Sequence, residues 1–314
     1  MKLTNHNNIN PVFEEVYKTD KYDSGECDIS ATQLIDSPQI RLLGRKHKDD
    51  VTRDLNSLIP AMLGTMIHEQ LSLVDLPYPV IKEERFFLKT QDWVLSGSPD
   101  IIYCRNGRYG IGDYKFTGEY SVRNIKEDWE KQLNVYAYLV KHGVTADGDS
   151  FSKLTGDWHE EFKTITKLNI TAIIRDWKQR EANRNKEYPQ SWVVDIPIRL
   201  WPEPEQRKYI EDRVSTHQNA EQMFDELDIT PHCTEQERWM SGHVYAVMKA
   251  GKKRGDKLFS DRFDAENHCS KVKGGYVEDR VPEATRCQNY CGVSDYCEQW
   301  FRSCLLYTSP SPRD

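Results

Sequence analysis

The 314-residue sequence contains no apolar run that approaches the ~20 residues needed to span a bilayer. Its first eight residues, MKLTNHNN, have none of the apolar core that a signal peptide requires. The sequence also lacks the glycine-rich P-loop of nucleotide-driven motors. These absences predict a cytoplasmic protein with no membrane segment and no ATP-driven motor of its own.

An excess of positive charge is absent as well. The chain has 43 Lys and Arg against 50 Asp and Glu, a net charge of −7. This balance excludes a polycationic coat for nucleic acid, so any contact with DNA would need local basic surface together with bound metal. The hydrophobic content of 38% still suffices for a globular core, and the length allows one decorated domain or two small ones.

A short acidic hairpin is the most informative feature that is present. Asn106-Gly107, between the apolar segments Ile101–Cys104 and Tyr109–Ile111, is a strong signal for a two-residue hairpin turn. Asp113 and Lys115 are two positions apart, so in a strand both side chains point from the same face. The hairpin would fold Asp100 back towards them. Two carboxylates and one ammonium in one patch suit a hard divalent cation, a phosphate and a water.

The same residues resemble a known nuclease signature. Pro99-Asp100, twelve further residues and then Asp113-Tyr114-Lys115 resemble the motif of the PD-(D/E)XK nucleases. Upstream, residues 64–71 resemble the helix that supplies a metal-binding histidine, here His68, in RecB-type members. Downstream, residues 132–136 resemble the Q-x-x-x-Y helix of the same subgroup. The resemblance therefore covers four elements in the expected order.

This resemblance implies an α/β fold, a restriction-endonuclease-like mixed sheet flanked by helices. It implies a metal-dependent DNA nuclease encoded by a phage and acting in recombination, repair or replication in a bacterial host. The resemblance favours an exonuclease, and the sequence leaves endonuclease action open. A helicase or recombination protein would be a possible partner. The implied ligands of Mg²⁺ or Mn²⁺ are His68, Asp100, Asp113 and the carbonyl of Tyr114. The implied catalytic residues are Asp100, Asp113, Lys115, Gln132 and Tyr136.

Periodicity predicts the main elements and their order. Helices are expected at residues 55–73, 126–142 and 203–227, and strands at 85–88, 93–95, 168–174 and 192–198. In the first helix, the apolar residues that fall on one side are Ile59, Leu63, Met66, Ile67 and Leu71. In the second, the residues expected to be buried are Trp129, Leu133, Tyr136, Ala137 and Val140. A capped short helix after Ser30 should turn into another helix that extends through Leu43.

Composition divides the chain into four predicted regions. Residues 1–54 form an N-terminal arm with helices, 55–227 the nuclease core, and 228–303 a C-terminal region with clustered cysteines. Residues 304–314, CLLYTSPSPRD, resemble an in-frame translation of a transposase-type sequencing adapter. We expect that last segment not to be native, and a non-native segment carries no information about the fold.

The cysteines of the C-terminal region predict a metal centre. Cys287, Cys291 and Cys297 are spaced closely enough to be thiolate ligands of an iron–sulfur cluster or of zinc. AddB-like and CRISPR adaptation nucleases carry a similar C-terminal trio. The resemblance implies a [4Fe–4S] cluster, with one distant cysteine as fourth ligand, that joins the ends of the chain.

Two cysteines are candidates for the fourth ligand. Cys27 is the only one near the N-terminus, yet it precedes the Ser30-x-Thr32 element, whereas the family cysteine usually follows it. Cys233 begins a C-T-x-x-E-R-W element that resembles one in a phage-encoded branch. The sequence favours Cys233 and leaves Cys27 open.

Two other functions fit parts of the pattern. A non-catalytic DNA-binding or interaction protein could retain the nuclease fold, although the intact set of His68, Asp100, Asp113 and Lys115 argues against a degenerate copy. Alternatively, the cysteines could anchor zinc and the acidic hairpin could be a solvated turn. The colour of the purified protein separates the metals, because an iron–sulfur cluster is brown and zinc is colourless.

Overall fold

The computed structural model describes residues 2–19, 25–156, 164–252 and 254–308. Within them, the helices are α1 (Pro11–Thr19), α2 (Ala31–Ile35), α3 (Pro38–Lys46), α4 (Leu55–Ser72), α5 (Glu119–Arg123), α6 (Glu127–His142), α7 (Phe151–Thr155), α8 (Gln179–Arg184), α9 (Glu203–Leu227), α10 (Arg262–Cys269), α11 (Thr285–Asn289) and α12 (Glu298–Thr308). The strands are β1 (Lys2–Thr4), β2 (Ile29–Ser30), β3 (Thr52–Asp54), β4 (Val80–Lys82), β5 (Phe86–Thr90), β6 (Trp93–Gly97), β7 (Ile101–Arg105), β8 (Arg108–Thr117), β9 (Ile165–Ile174), β10 (Val193–Ile198), β11 (Val244–Lys249), β12 (Lys257–Phe259) and β13 (Gly275–Arg280). Residues 309–314, the end of the segment expected not to be native, lie outside the described residues.

The chain divides into two compact units, and the division is not a single cut along the sequence. The first unit contains residues 1–38 and 49–229, and the second contains 39–48 and 230–314. Most of α3, from the N-terminal part of the sequence, therefore belongs to the same unit as the C-terminal cysteines. The four regions predicted from composition remain predictions.

The central sheet of the first unit has five strands in the order β10-β9-β8-β7-β4. Strands β8 and β9 are parallel and the other neighbours are antiparallel, so the sheet is mixed. The predicted hairpin is β7–β8, and Asn106 and Gly107 both have positive φ, +53° and +70°, as a type I′ turn requires. The hairpin prediction is confirmed.

A glycine in β8 lets an aromatic ring cross the hairpin. A Cβ atom at Gly110 would lie 2.4 Å from the Tyr103 ring, so any larger residue there would force the ring to move. Tyr103 then donates a hydrogen bond to Asn169 Oδ1 of β9, at 3.0 Å. The close approach thus ties three neighbouring strands together just below the acidic residues of β8.

Helix α6 covers one face of this sheet with an apolar side. All five residues predicted to be buried are buried: Trp129, Leu133, Tyr136, Ala137 and Val140. They join a core that includes Ile111 of β8 and Ile170 of β9. Three carboxylates in the first turn, including Glu127, are placed favourably for the positive end of the helix dipole.

Helix α4 forms as predicted but buries a different face. Its buried side chains are Leu55, Leu58 and Met62, whereas Leu63 and Met66 are exposed. The reason is the N-terminal arm, because apolar residues of α1, including Phe13, pack on the Leu55 side. That arrangement leaves His68, on the opposite side of the helix, to face Asp100 and the Tyr114 ring of β8.

A second sheet of the first unit, β2-β6-β5, contains the strand that precedes the β7–β8 hairpin in the chain. Strand β2 pairs in parallel with β6, which pairs in antiparallel fashion with β5. Ser30 at the end of β2 caps α2 through a reciprocal capping box with Gln33. Helix α3 then begins at Pro38, so the predicted pair of short helices is confirmed.

The second unit contains the antiparallel sheet β12-β11-β13 and the helix α10. Buried residues of β11, Ala246, Val247 and Met248, form the centre of this small sheet. Its C-terminal end contains α11, a 3₁₀ turn at Ser294–Tyr296 and α12. Across the described part of the chain, the helices are all too short or too polar to cross a bilayer.

Candidate active site

Asp100 lies at the turn between β6 and β7, and two elements hold its carboxylate. The side chain is buried, and Oδ2 accepts a hydrogen bond from the backbone N–H of Tyr114 on β8, at 2.5 Å. Oδ1 lies 3.4 Å from Nδ1 of His68 on α4. The Tyr114 ring also contacts the imidazole edge-to-face, with ring centroids 5.9 Å apart. Strand β8 and helix α4 thus hold this carboxylate in one position.

Asp113 and Lys115 lie on the same face of β8, as their spacing predicted. Lys115 Nζ is 2.6 Å from Oδ2 of Asp113. Burial raises the pKa of Asp113, the Lys115 charge opposes that rise, and the Asp100 carboxylate adds to it. A buried carboxylate with a raised pKa gains stability from any cation that compensates its charge.

A chain of hydrogen bonds connects Lys115 to α6. Lys115 Nζ donates to Gln132 Oε1 at 3.1 Å, and Gln132 Nε2 donates to Tyr136 Oη at 2.8 Å. Both Gln132 and Tyr136 are buried. The structure therefore places these two residues beside the lysine, where they restrict its position.

Glu83 completes the acidic group, and the sequence analysis missed it. Ligand atoms of His68, Glu83 and Asp100 all lie within 4.8 Å of one another. Glu83 precedes β5 with a positive φ of +52°, and its N–H donates to the carbonyl of Asp100 at 3.2 Å. No periodic pattern marks such a residue. The only signal was the Glu83-Glu84 pair directly before a strand.

The charges of the site perturb one another. Glu83 is exposed as a whole residue, but desolvation of its carboxyl in the cleft and the carboxylates of Asp100 and Asp113 raise its pKa to about 7. The hydrogen bond to Asp100 raises the pKa of His68. Neighbouring carboxylates repel each other when both are ionised. A divalent cation bound by them and by the imidazole would offset that repulsion.

These residues line one polar cleft of about 690 Å³ in the first unit. The cleft is also lined by residues 30–32 at the start of α2, by Gly64 and neighbouring residues of α4, and by Arg85. The lining residues that carry the chemistry are His68, Glu83, Asp100, Asp113, Lys115, Gln132 and Tyr136. The donor set of two carboxylates and one imidazole within reach of one point fits Mg²⁺ or Mn²⁺, with the imidazole favouring Mn²⁺.

Four cysteines of the second unit line a separate small cavity. They are Cys233, Cys287, Cys291 and Cys297. Burial raises the pKa of the Cys291 and Cys297 thiols. Two guanidinium groups, Arg238 and Arg286, also line the cavity. Four thiols on one cavity with cations beside them fit a thiolate-bound group such as an iron–sulfur cluster or zinc.

The other candidate ligand lies elsewhere. Cys27 belongs to the first unit, where its Sγ accepts a hydrogen bond from Ser96 Oγ at 3.2 Å. Cys104 is buried within β7, and Cys269 ends α10. The structure brings Cys233 onto the cavity of the C-terminal trio.

A mixed sheet whose hairpin presents carboxylates and a lysine beside a helical histidine defines the class of metal-dependent nuclease folds. The model of the PD-(D/E)XK nuclease superfamily matches residues 12–298, and the chain belongs to that superfamily. The fold is accordingly restriction-endonuclease-like, as the sequence predicted.

Two further comparisons are weaker. No curated protein matches the chain at a significant level. Among solved structures, the chain is similar to SSO0001 at 15% identity, with a TM-score of 0.40, over 65% of this chain and 82% of that one. The family assignment depends on the superfamily model alone.

We expect Glu83→Gln to raise the melting temperature of the metal-free protein above pH 7 and to leave it nearly unchanged below pH 4.5. The protonated carboxyl stabilises the fold below its usual pKa of 4.5, and this contribution is lost as the pH rises through about 7. Glutamine stays neutral throughout. Thermal unfolding in a chelator across this range measures the difference.

Glu84→Gln is the matched control, because Glu84 is the adjacent carboxylate and does not line the cleft. Saturating Mn²⁺ should reverse the order of stability, since a bound cation favours the ionised Glu83. A difference in melting temperature that does not vary with pH would contradict the raised pKa of Glu83.

Proposed function

We propose that this protein is a metal-dependent deoxyribonuclease that hydrolyses phosphodiester bonds, and that it acts as an exonuclease. The observation that supports this most directly is the group His68, Glu83 and Asp100 beside the Asp113–Lys115 pair in one cleft. Membership of the PD-(D/E)XK superfamily supports the nuclease activity. The resemblance to RecB-type members supports DNA as the substrate and cleavage from free ends.

The proposed roles follow from the contacts. His68, Glu83 and Asp100 would hold the metal, with Asp113 and the Tyr114 carbonyl as further ligands. Bound Mg²⁺ or Mn²⁺ would supply an activated water and stabilise the charge that builds on the phosphate. Lys115, held by Asp113 and Gln132, would orient the water or neutralise the scissile phosphate. Tyr136 would keep Gln132 in place.

The biological setting is proposed on the same resemblance. The protein would act in the cytoplasm of a bacterial host, encoded by a phage, in recombination, repair or replication. Because the sequence has no P-loop, duplex unwinding would come from a helicase or recombination partner. A stable complex with a phage-encoded or host helicase after co-expression would support such a partner.

We also propose that Cys233, Cys287, Cys291 and Cys297 bind a [4Fe–4S] cluster, with zinc as the alternative. Their shared cavity supports a common ligand set with Cys233 as its fourth member. A cluster there would stabilise the fold of the C-terminal unit, since binding free energy at such sites becomes folding free energy. Iron, sulfide and zinc analysis after anaerobic purification separates the two metals.

The activity is tested with matched DNA substrates. Linear duplex, linear single-stranded and covalently closed circular DNA of the same sequence are incubated with Mg²⁺, Mn²⁺ or a chelator. An exonuclease degrades the linear forms, spares the circle and stops in the chelator. Degradation of the circle would replace the exonuclease proposal by an endonuclease. Activity in the chelator would contradict the metal site.

We expect His68→Ala to lose activity chiefly through metal affinity, because the imidazole is one of three groups around one point. The loss of affinity should be at least the 10–100-fold that removal of an outer-sphere partner typically costs. Titration of Mn²⁺ in the nuclease assay should restore part of the rate. An unrecoverable loss with unchanged metal affinity would give His68 a different role.

A further inference from the structure

Gln39 is a buried amide that lies among the cysteine thiols. It belongs to the first turn of α3, is 3% exposed, and lines the same cavity as the four cysteines. Its Oε1 accepts hydrogen bonds from Cys233 Sγ at 3.0 Å and from Cys297 Sγ at 3.7 Å. One side chain thus contacts two of the four proposed ligands, from opposite ends of their sequence range.

The other end of the amide is held by a partner that accepts either orientation. Gln39 Nε2 donates to Thr230 Oγ1 at 3.3 Å. A hydroxyl can donate as well as accept, so Thr230 can also pair with an amide oxygen. Rotation of the Gln39 amide by half a turn would therefore keep this contact and point Nε2 at the sulfurs.

Rotation would replace one acceptor of the Cys233 backbone N–H by a donor, so this N–H needs a second acceptor. It donates to Gln39 Oε1 at 3.3 Å, but also to Gln299 Oε1 at a shorter 2.9 Å. Gln299 Nε2 in turn donates to the Cys233 carbonyl at 2.9 Å. Gln299 alone thus satisfies the backbone of Cys233 and leaves Gln39 free to serve the sulfur.

We propose that Gln39 is a positioning residue of the cysteine site: its amide holds Cys233 and Cys297 together, and donates N–H···S hydrogen bonds to their thiolates when a cluster is bound. This inference rests on the proposed cluster. Protonated thiols need an acceptor and thiolates need a donor, and a rotatable amide supplies either one. The amide carries no net charge, so it adds nothing to the charge balance set by Arg238 and Arg286.

Hydrogen bonds to cluster sulfurs raise the reduction potential, because they stabilise the more negative reduced state. Gln39→Met removes the donor at similar volume and should lower the potential. Gln39→Glu replaces the donor by an acceptor-only carboxylate and should lower both the potential and the iron content further. Gln288→Met is the matched control, because Gln288 is an exposed glutamine of α11 that does not line the cavity.

The experiment compares wild type and the three variants of the full chain after anaerobic purification. Iron and sulfide are quantified, the potential is measured by a dithionite titration followed in the visible spectrum, and loss of iron to a chelator is timed. We expect Gln39→Met to shift the potential downwards and to lose iron about tenfold faster. Gln288→Met should leave both the iron content and the potential unchanged.

An unchanged potential in Gln39→Met, with iron bound, overturns the role of Gln39 and leaves the cluster standing. A wild type that contains zinc and no iron overturns the cluster itself, and with it this inference. Should Gln39→Met hold too little iron to titrate, Thr230→Val serves instead, because it removes the partner of the rotated amide. A Thr230→Val protein with the wild-type potential would overturn the proposal.

Discussion

Asp113→Asn and Lys115→Ala should each abolish metal-dependent DNA cleavage while the fold survives. Both side chains lie on one face of β8 within the cleft, 2.6 Å apart, and Asp100 faces them. Loss of the lysine removes the positive charge nearest the proposed scissile phosphate, and loss of one such electrostatic group typically costs about 10²–10³-fold in rate. Asp113→Asn should cost at least as much, because it also removes a carboxylate from the metal site.

Matched controls exist on the same sheet. Asp195 on β10 accepts a hydrogen bond from Thr171 outside the cleft, and Lys167 is an exposed lysine on β9. Asp195→Asn and Lys167→Ala should keep the wild-type rate. The rate is measured on linear DNA with Mn²⁺, and circular dichroism verifies the fold. Wild-type digestion by either cleft variant would show that the active-site assignment is wrong.

Cys291→Ser and Cys233→Ser should each yield colourless and poorly soluble protein, whereas Cys27→Ser should be nearly silent. The first two line the shared cavity of the second unit, and Cys27 lies in the first unit beside Ser96. Removal of one ligand from a structural metal site removes the metal, and the binding free energy that it contributed to folding is lost with it. Any folded fraction should retain some nuclease activity, because the acidic cleft belongs to the other unit.

Iron per polypeptide, absorbance in the visible range and soluble yield measure these effects. Cys104→Ser is a second control, a buried cysteine of β7 that lines no part of the cavity. A brown Cys233→Ser protein together with a colourless Cys27→Ser protein would move the fourth ligand to the N-terminus. A colourless wild type that contains zinc would replace the cluster by the alternative metal.

Sequence reasoning succeeded where short-range chemistry decides the structure. The Asn106-Gly107 turn requires two residues with positive φ, and its two-residue length fixes the register that brings Asp100 opposite β8. The buried face of α6 follows from helical periodicity over its four turns. Both features are encoded within fewer than twenty residues, so one sequence suffices to find them.

It failed where distant segments decide. Leu63 and Met66 have helical spacing, but the arm that contains α1 covers the other side of α4 and leaves them exposed. Glu83 enters the acidic group through a backbone conformation before β5 and a hydrogen bond to the turn at Asp100. Neither relation leaves a periodic trace, because each depends on residues that are close only after folding.

The order in which the chain passes through its two units limits how the gene can be divided into fragments. Because residues 39–48 lie in the unit formed by residues 230–314, the backbone passes between the units three times. A fragment that stops at residue 229 is therefore not one unit with its neighbour removed. It retains α3 but lacks residues 230–314, the rest of the unit to which most of α3 belongs. Leu42 and Leu43 of α3 are buried in the whole protein. Separation into independently expressed halves would require excision and replacement of α3 by a linker, so recombination of this gene at a single breakpoint should seldom yield a folded product.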